Sequence, residues 1–313
     1  MNNGIIFELI LPPIIYSIIS IIGILFNTSI CYITIKYRKY YDTFKSNTAI
    51  LLSINSFFEI LHQTGNFYHL IIALSGINYI QFGNAILFQF HTLIGYYCAL
   101  FTFNSLSIDR IYSMLNKKKY ICGHLITIFL FICFLIYIII ITTINNSFKI
   151  VNGSIAIMSF VLNQEFKFMP YFQFVTMTGI IFYFFIGVKL FFKKVNSVNN
   201  MNKKIYRSLL LIIFINIFCY ILSIIIMKLF INPFIITDSL KLNLYTIIPV
   251  FILNISVVCN APILYINSID YNNAYKKEFK IIKQFLFKLF GIKQNTKTNV
   301  VKPNIKTNNL FIK

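Results

Sequence analysis

Residues Ser105 to Tyr120 read SLSIDRIYSMLNKKKY, an acid and a base side by side where an apolar stretch gives way to three lysines. A helix leaving a bilayer reads this way, because lysines gather in the connections of a membrane protein. Upstream the apolar run extends back to about Gly83, and a span needs about 20 mostly apolar residues at about 1.5 Å rise per residue. Similar runs lie at about Pro13 to Ile35, Thr48 to Leu74, Gly83 to Met114, Leu125 to Ile144, Tyr171 to Phe192, Ser208 to Phe230 and Leu242 to Tyr265. Each is too long for a barrel strand and lacks strict alternation, so the expected fold is an all-α membrane protein, a seven-transmembrane helix bundle.

Composition agrees. Of 313 residues, 58% are hydrophobic and 12% charged, far from a soluble domain. The formal charge of +20 would suggest nucleic acid as partner in a soluble chain. Here the basic residues sit in short connections, so the partner they imply is the bilayer and nucleic acid is excluded. The first connection carries Lys36, Arg38, Lys39 and Lys45, the third Lys117, Lys118 and Lys119, and the fifth Lys193, Lys194, Lys203, Lys204 and Arg207. The alternate connections hold only Lys149, Lys167 and Lys241, while the tail adds ten lysines from Lys276 to Lys313. The expectation is a multi-pass plasma-membrane protein with its amino terminus outside and its carboxyl terminus cytoplasmic. No cleavable signal peptide is read in MNNGIIFELILPP, which has no basic n-region, so the first span is expected to insert as its own signal. Two sequons, at Asn145 and Asn152, fall in a connection placed outside, although Asn27 and Asn254 match the same pattern inside spans.

These readings divide the chain into an extracellular segment (1–12), the bundle (13–265), an amphipathic helix on the inner leaflet (266–291) and a polar, basic tail (292–313). The amphipathic helix rests on Tyr275, Phe279, Ile282 and Leu286 sharing one face with lysines around the rest, and Gly291 is its expected stop. None of the six cysteines lies in a loop placed outside, so an extracellular disulfide is not expected.

Polar residues inside the spans mark candidate sites. A carboxylate there costs on the order of 3 kcal/mol, and Glu59 is the clearest example. It serves either an interior polar site, with Asn27, Asn254 and Asn260 as partners, or packing alone. His62 lies one turn away as a further partner. The histidine spacing shows no convergence of metal ligands, and no nucleophile elbow, phosphate loop or zinc-binding pair is present; neither enzyme activity nor a cofactor is expected.

An Asp-Arg pair ending the third span and a Pro-x-x-Tyr ending the seventh, in CNAPILY, resemble rhodopsin-like G-protein-coupled receptors, and among them the nematode serpentine chemoreceptors of the srsx type. The resemblance covers about Ile19 to Phe279. On it, Asn27 matches the first-span asparagine, Glu59 stands for the second-span aspartate, Asp109 and Arg110 match the third-span pair, and Tyr120 the loop tyrosine. Pro262 and Tyr265 match the seventh-span motif, with the asparagine displaced to Asn260. Four departures stand beside it. Ala85 occupies the place of the cysteine that staples the third helix to the second outer loop. The sixth span has neither Trp nor Pro. Thr92 lies near the depth where amine receptors place an aspartate, and the seventh span lacks an opsin's lysine.

The resemblance implies a chemosensory receptor that binds an extracellular small molecule or peptide and activates a heterotrimeric G protein. Polar side chains in the outer halves of the spans are the candidate ligand contacts: Gln89, Thr92, Tyr96, Tyr171, Gln173 and Tyr245. Arg110, held by Asp109 at rest, is the expected switch; the bland reading makes it one more anchor beside the lysines. The runner-up is a transporter or ligand-gated channel, for which neither pseudo-repeats nor charged rings are visible.

Overall fold

The computed structural model describes residues 7–77, 79–114, 121–146, 148, 150–152, 178, 181, 211–212, 214–216, 218–223, 225–227, 229 and 244–290. Most of the fifth and much of the sixth hydrophobic run, with Tyr120, Tyr171 and Gln173, lie outside these residues.

Helix α1 runs Phe7–Tyr37, α2 Asn47–Leu74, α3 Phe82–Met114 and α4 Ile121–Asn146; the seventh run forms α5, Ile247–Asn267, and α6 follows at Ile269–Leu289. Among the described residues four stretches are long and apolar enough to cross a membrane: Phe7–Tyr37, Phe82–Asp109, Ile121–Asn145 and Ile247–Asn267. At 28 residues α2 is as long, but Glu59, His62, Gln63 and His69 interrupt its apolar sequence. The chain is a multi-pass, all-α membrane protein. Its lipid-facing character shows on α1 and α4, where Ile18, Leu25, Ile35, Phe129, Leu130 and Ile144 are each more than half exposed. In water such a surface would be untenable; in hydrocarbon it is the expected face.

Local signals set the ends. Ser46 caps α2, its hydroxyl accepting from the amide of Ala49 at 3.2 Å. The same helix stops at Gly76, whose φ of 70° turns the chain away and which donates its amide to the carbonyl of Ala73 at 3.3 Å. Between α5 and α6, Ser268 is extended at φ −106° and ψ 121°, and the Asn272 amide side chain reaches back to the carbonyl of Tyr265 at 2.8 Å. Helix α1 starts ahead of Pro12 and Pro13, which lie inside it, although hydropathy alone suggests a start at Pro13. Each proline removes one donor from the ladder there.

Helix α2 packs against α1 and α3, α1 also packs against α5, and α3 against α4. Small residues admit close approach. A Cβ added at Gly95 of α3 would stand 2.5 Å from the backbone nitrogen of His62 and 2.6 Å from the carbonyl oxygen of Phe58, so the α2 and α3 backbones meet there. Gly23 of α1 accommodates the Gln63 amide, and Gly65 of α2 the Thr92 side chain.

At the lysine-rich end, a short 3-10 helix, Asp42–Lys45, joins α1 to α2. Its Phe44 is fully buried and meets Tyr271 edge-on, with ring centres 4.8 Å apart. Thr43 donates to the Asp270 carboxylate, and the hydroxyls of Thr34 and Tyr271 lie 3.0 Å apart. At the opposite end, strand β1 (Tyr79–Gln81) pairs antiparallel with β2 (Ile150–Asn152), in the register Tyr79 with Asn152, Ile80 with Val151 and Gln81 with Ile150.

Two compact units divide the chain at Ala274. Within the second, residues 275–289 continue α6 with Phe279, Ile282, Phe285 and Leu289 at least half exposed and lysines on the other side. Lys283 lies 5.4 Å from the Phe287 ring centre.

Candidate functional site

A stripe of polar side chains follows one side of α2. Thr48, Asn55, Ser56, Glu59 and Gln63 are all buried, at no more than 5% exposure. Thr48, Asn55, Glu59 and Gln63 recur at spacings of seven, four and four residues, with Ser56 beside Asn55, which keeps them on one side of the helix, and the helices that cover that side bury it. In hydrocarbon no water relieves such groups, so each needs a partner or a use.

Toward the lysine-rich end, the stripe meets α3. The Thr48 hydroxyl donates to the Asp109 carboxylate at 2.6 Å, both groups being buried. A charge-assisted bond of this kind is stronger than one between neutral groups. His124, at the start of α4, lies within electrostatic reach of the same carboxylate. Arg110 follows Asp109 on α3, and its side chain falls outside the described residues. About two turns farther along α2, the Asn55 amide donates to the carbonyl of Ala99 at 3.0 Å, a second tie between α2 and α3.

At mid-depth the polar groups turn toward α1 and α5. Asn27 donates to the carbonyls of Gly23 at 3.0 Å and of Val257 on α5 at 3.5 Å. Asn260 does not meet Asn27 side chain to side chain; its carbonyl oxygen accepts from Asn216 at 3.0 Å. Asn254 folds back on its own helix, donating to the carbonyl of Val250 at 2.9 Å. Glu59 is 5% exposed and lies within electrostatic reach of Tyr96. His62, a possible partner for Glu59 by spacing, faces α3, with its ring 5.1 Å from that of Tyr96 and a hydrogen bond to the carbonyl of Thr92. Pro262 and Tyr265 lie on α5, half-buried.

Of the candidate ligand contacts, Gln89, Thr92 and Tyr96 lie along α3 away from the Asp109 end. Gln89 is fully buried, Thr92 is 3% exposed, and Tyr96 hydrogen-bonds Tyr220. Both amide atoms of Gln89 and both of Gln63 lack a partner among the described residues, as does one ring nitrogen each of His62 and His69. A buried amide in this condition costs about 1–3 kcal/mol, which a bound polar molecule would recover. Tyr245 is half exposed. A separate network ties α1 to α2 nearby, with Asn66 donating to Ser20 at 2.7 Å and Ser17 to the carbonyl of Asn66 at 3.3 Å. Asn145 is exposed at the end of α4, and Asn152 lies in β2.

Thr48, Asn55, Gln63 and Asn216 were not singled out by sequence reading. Three of them had a signal, because Thr48, Asn55, Glu59 and Gln63 recur at helical spacing through an otherwise apolar run. Asn216 carried none, since nothing local says which face of its helix is interior.

No curated protein matches the chain. A family model described as serpentine type 7TM GPCR chemoreceptor Srsx matches residues 17–279.

Proposed function

The chain belongs to the serpentine 7TM chemoreceptor family Srsx, and from that premise we propose that it senses an extracellular small molecule or peptide and passes the signal to a heterotrimeric G protein. The lysine-rich end faces the cytoplasm in this reading, as the distribution of Lys and Arg requires. Ligand binds in the outer half of the bundle, against Gln89, Thr92 and Tyr96, with Tyr171, Gln173 and Tyr245 as further contacts.

The observation that carries the reading is the buried Thr48 to Asp109 bond at the cytoplasmic end. It supplies the acid of the Asp-Arg pair with a partner on another helix. Asp109 therefore reports the distance between α2 and α3, and Arg110 is held or released according to how fully Asp109 is engaged. Ligand shifts this equilibrium only as far as it binds one arrangement better than the other. Asn27, Glu59 and Asn260 form the interior polar site between the ligand and the switch, and Tyr120, Pro262 and Tyr265 complete the cytoplasmic machinery.

Heterologous expression with a second-messenger readout, against a panel of odorants, small metabolites and peptides, tests the proposal. Arg110→Lys is expected to abolish the evoked signal while surface delivery stays normal; a normal signal would reduce Arg110 to a membrane anchor. Evoked currents that persist when G proteins are blocked would instead assign the chain to the ligand-gated channels.

A further inference from the structure

We propose that the pairing of β1 with β2 is a non-covalent clip that fastens the connection after α4 to the start of α3. All six cysteines are free and lie on helical segments, so no disulfide performs this task. The ladder joins two segments that α3 and α4 separate along the chain, over three in-register residue pairs.

Local structure makes the clip stiff on both sides. Gly76, at φ 70°, returns the chain from α2 directly toward β1. Gln81 then passes without a break into Phe82, and this first turn is anchored by Phe82 at 5%, Ala85 at 0% and Ile86 at 1% exposure. On the other side β2 begins only four residues after Asn146 ends α4, which leaves little slack. The connection is thus tied at its root by α4 and a few residues later by α3. Backbone hydrogen bonds differ from a disulfide in two respects: they are indifferent to reductants, and they open and close reversibly without chemistry. The clip therefore keeps its geometry in reducing surroundings.

Cysteine pairs test the register directly. Ile80→Cys with Val151→Cys and Gln81→Cys with Ile150→Cys sample adjacent positions, one of each antiparallel pair type; Gln81→Cys with Asn152→Cys is the off-register control. Each is made in the full chain, with a protease site inserted between Lys117 and Lys118. After mild oxidation in membranes and cleavage, the fraction of fragments still joined is read on non-reducing gels. At least one in-register pair should join severalfold more than the control. Equal joining in all three, or none in either in-register pair despite normal surface delivery, overturns the clip. A second reading uses heat: dithiothreitol should leave the wild-type unfolding midpoint unchanged, while the joined variant should gain roughly 3 °C and lose it on reduction. A wild-type midpoint that falls with dithiothreitol would also overturn the proposal. Neither reading needs a ligand, so failure here is distinguishable from failure of the chemoreceptor assignment.

Discussion

The hydroxyl of Thr48, 2.6 Å from the Asp109 carboxylate, limits what that carboxylate has left to offer Arg110. Replacing it with an isosteric methyl leaves a buried acid short of a donor, at a cost of about 1–3 kcal/mol to the arrangement that buries it. Thr48→Val should therefore raise ligand-free signalling severalfold at matched surface expression, while Thr48→Ser keeps the wild-type level. Equal basal signalling in both variants would remove Thr48 from the switch. Asp109 was legible in the sequence because a charge at a span end stands out; Thr48 had only its helical spacing with Asn55, Glu59 and Gln63 as a signal, and a threonine at a span end is ordinary until its partner is known. A second acid shows the opposite case. Lys45 lies 2.8 Å from Asp42, and its hydrogen bond and charge hold the Asp42 carboxyl below the ordinary carboxylate range. A lowered folded-state pKa favours the fold above the unfolded value and loses that effect only as pH falls through the folded one. Both groups are well exposed, so stability measured between pH 6 and 8 should not change through this pair.

Among the described helices, α2 and α3 meet backbone against backbone at Gly95. Gly95→Ala places a methyl against the backbone of His62 and Phe58, which cannot withdraw as a flexible side chain would. A loss of roughly 1–3 kcal/mol is expected, seen as a lower unfolding midpoint and reduced surface delivery. Gly123→Ala is the matched contrast: among the described residues nothing lies within 4 Å of the added atom, so stability should hold or rise slightly. Hydropathy located the helices but could not separate these two glycines, because a span that is apolar all round hides which side meets a neighbour. Phe44 teaches the same lesson in a connection. Its full burial against Tyr271 predicts that Phe44→Ala costs about 3 kcal/mol, whereas Tyr40→Ala, 75% exposed, should be silent in the same thermal assay.

For the molecule as a whole, length and charge carried most of the information. The first and fourth helices exceed the runs read from the sequence, beginning at Phe7 and Ile121 and ending at Tyr37 and Asn146; α1 does so because Phe7, Leu9, Ile10 and Leu11, ahead of Pro12, are themselves apolar. The interior was harder to read: that Asn27 would reach Val257, and Asn260 would choose Asn216, depends on contacts between residues more than two hundred or more than forty positions apart. Orientation has a direct check. A tag at the amino end should be stained on intact cells, and one after Lys313 only after permeabilisation; the reverse pattern would invert every assignment of ligand side and signalling side. The junction of Thr34, Thr43 and Phe44 with Asp270 and Tyr271 then acquires a mechanical meaning. It ties the exit of the first helix, the first connection and the beginning of α6 into one block, which should respond as a unit when the bundle rearranges. Substitutions anywhere in that block should shift the response together, and their effects should fail to add.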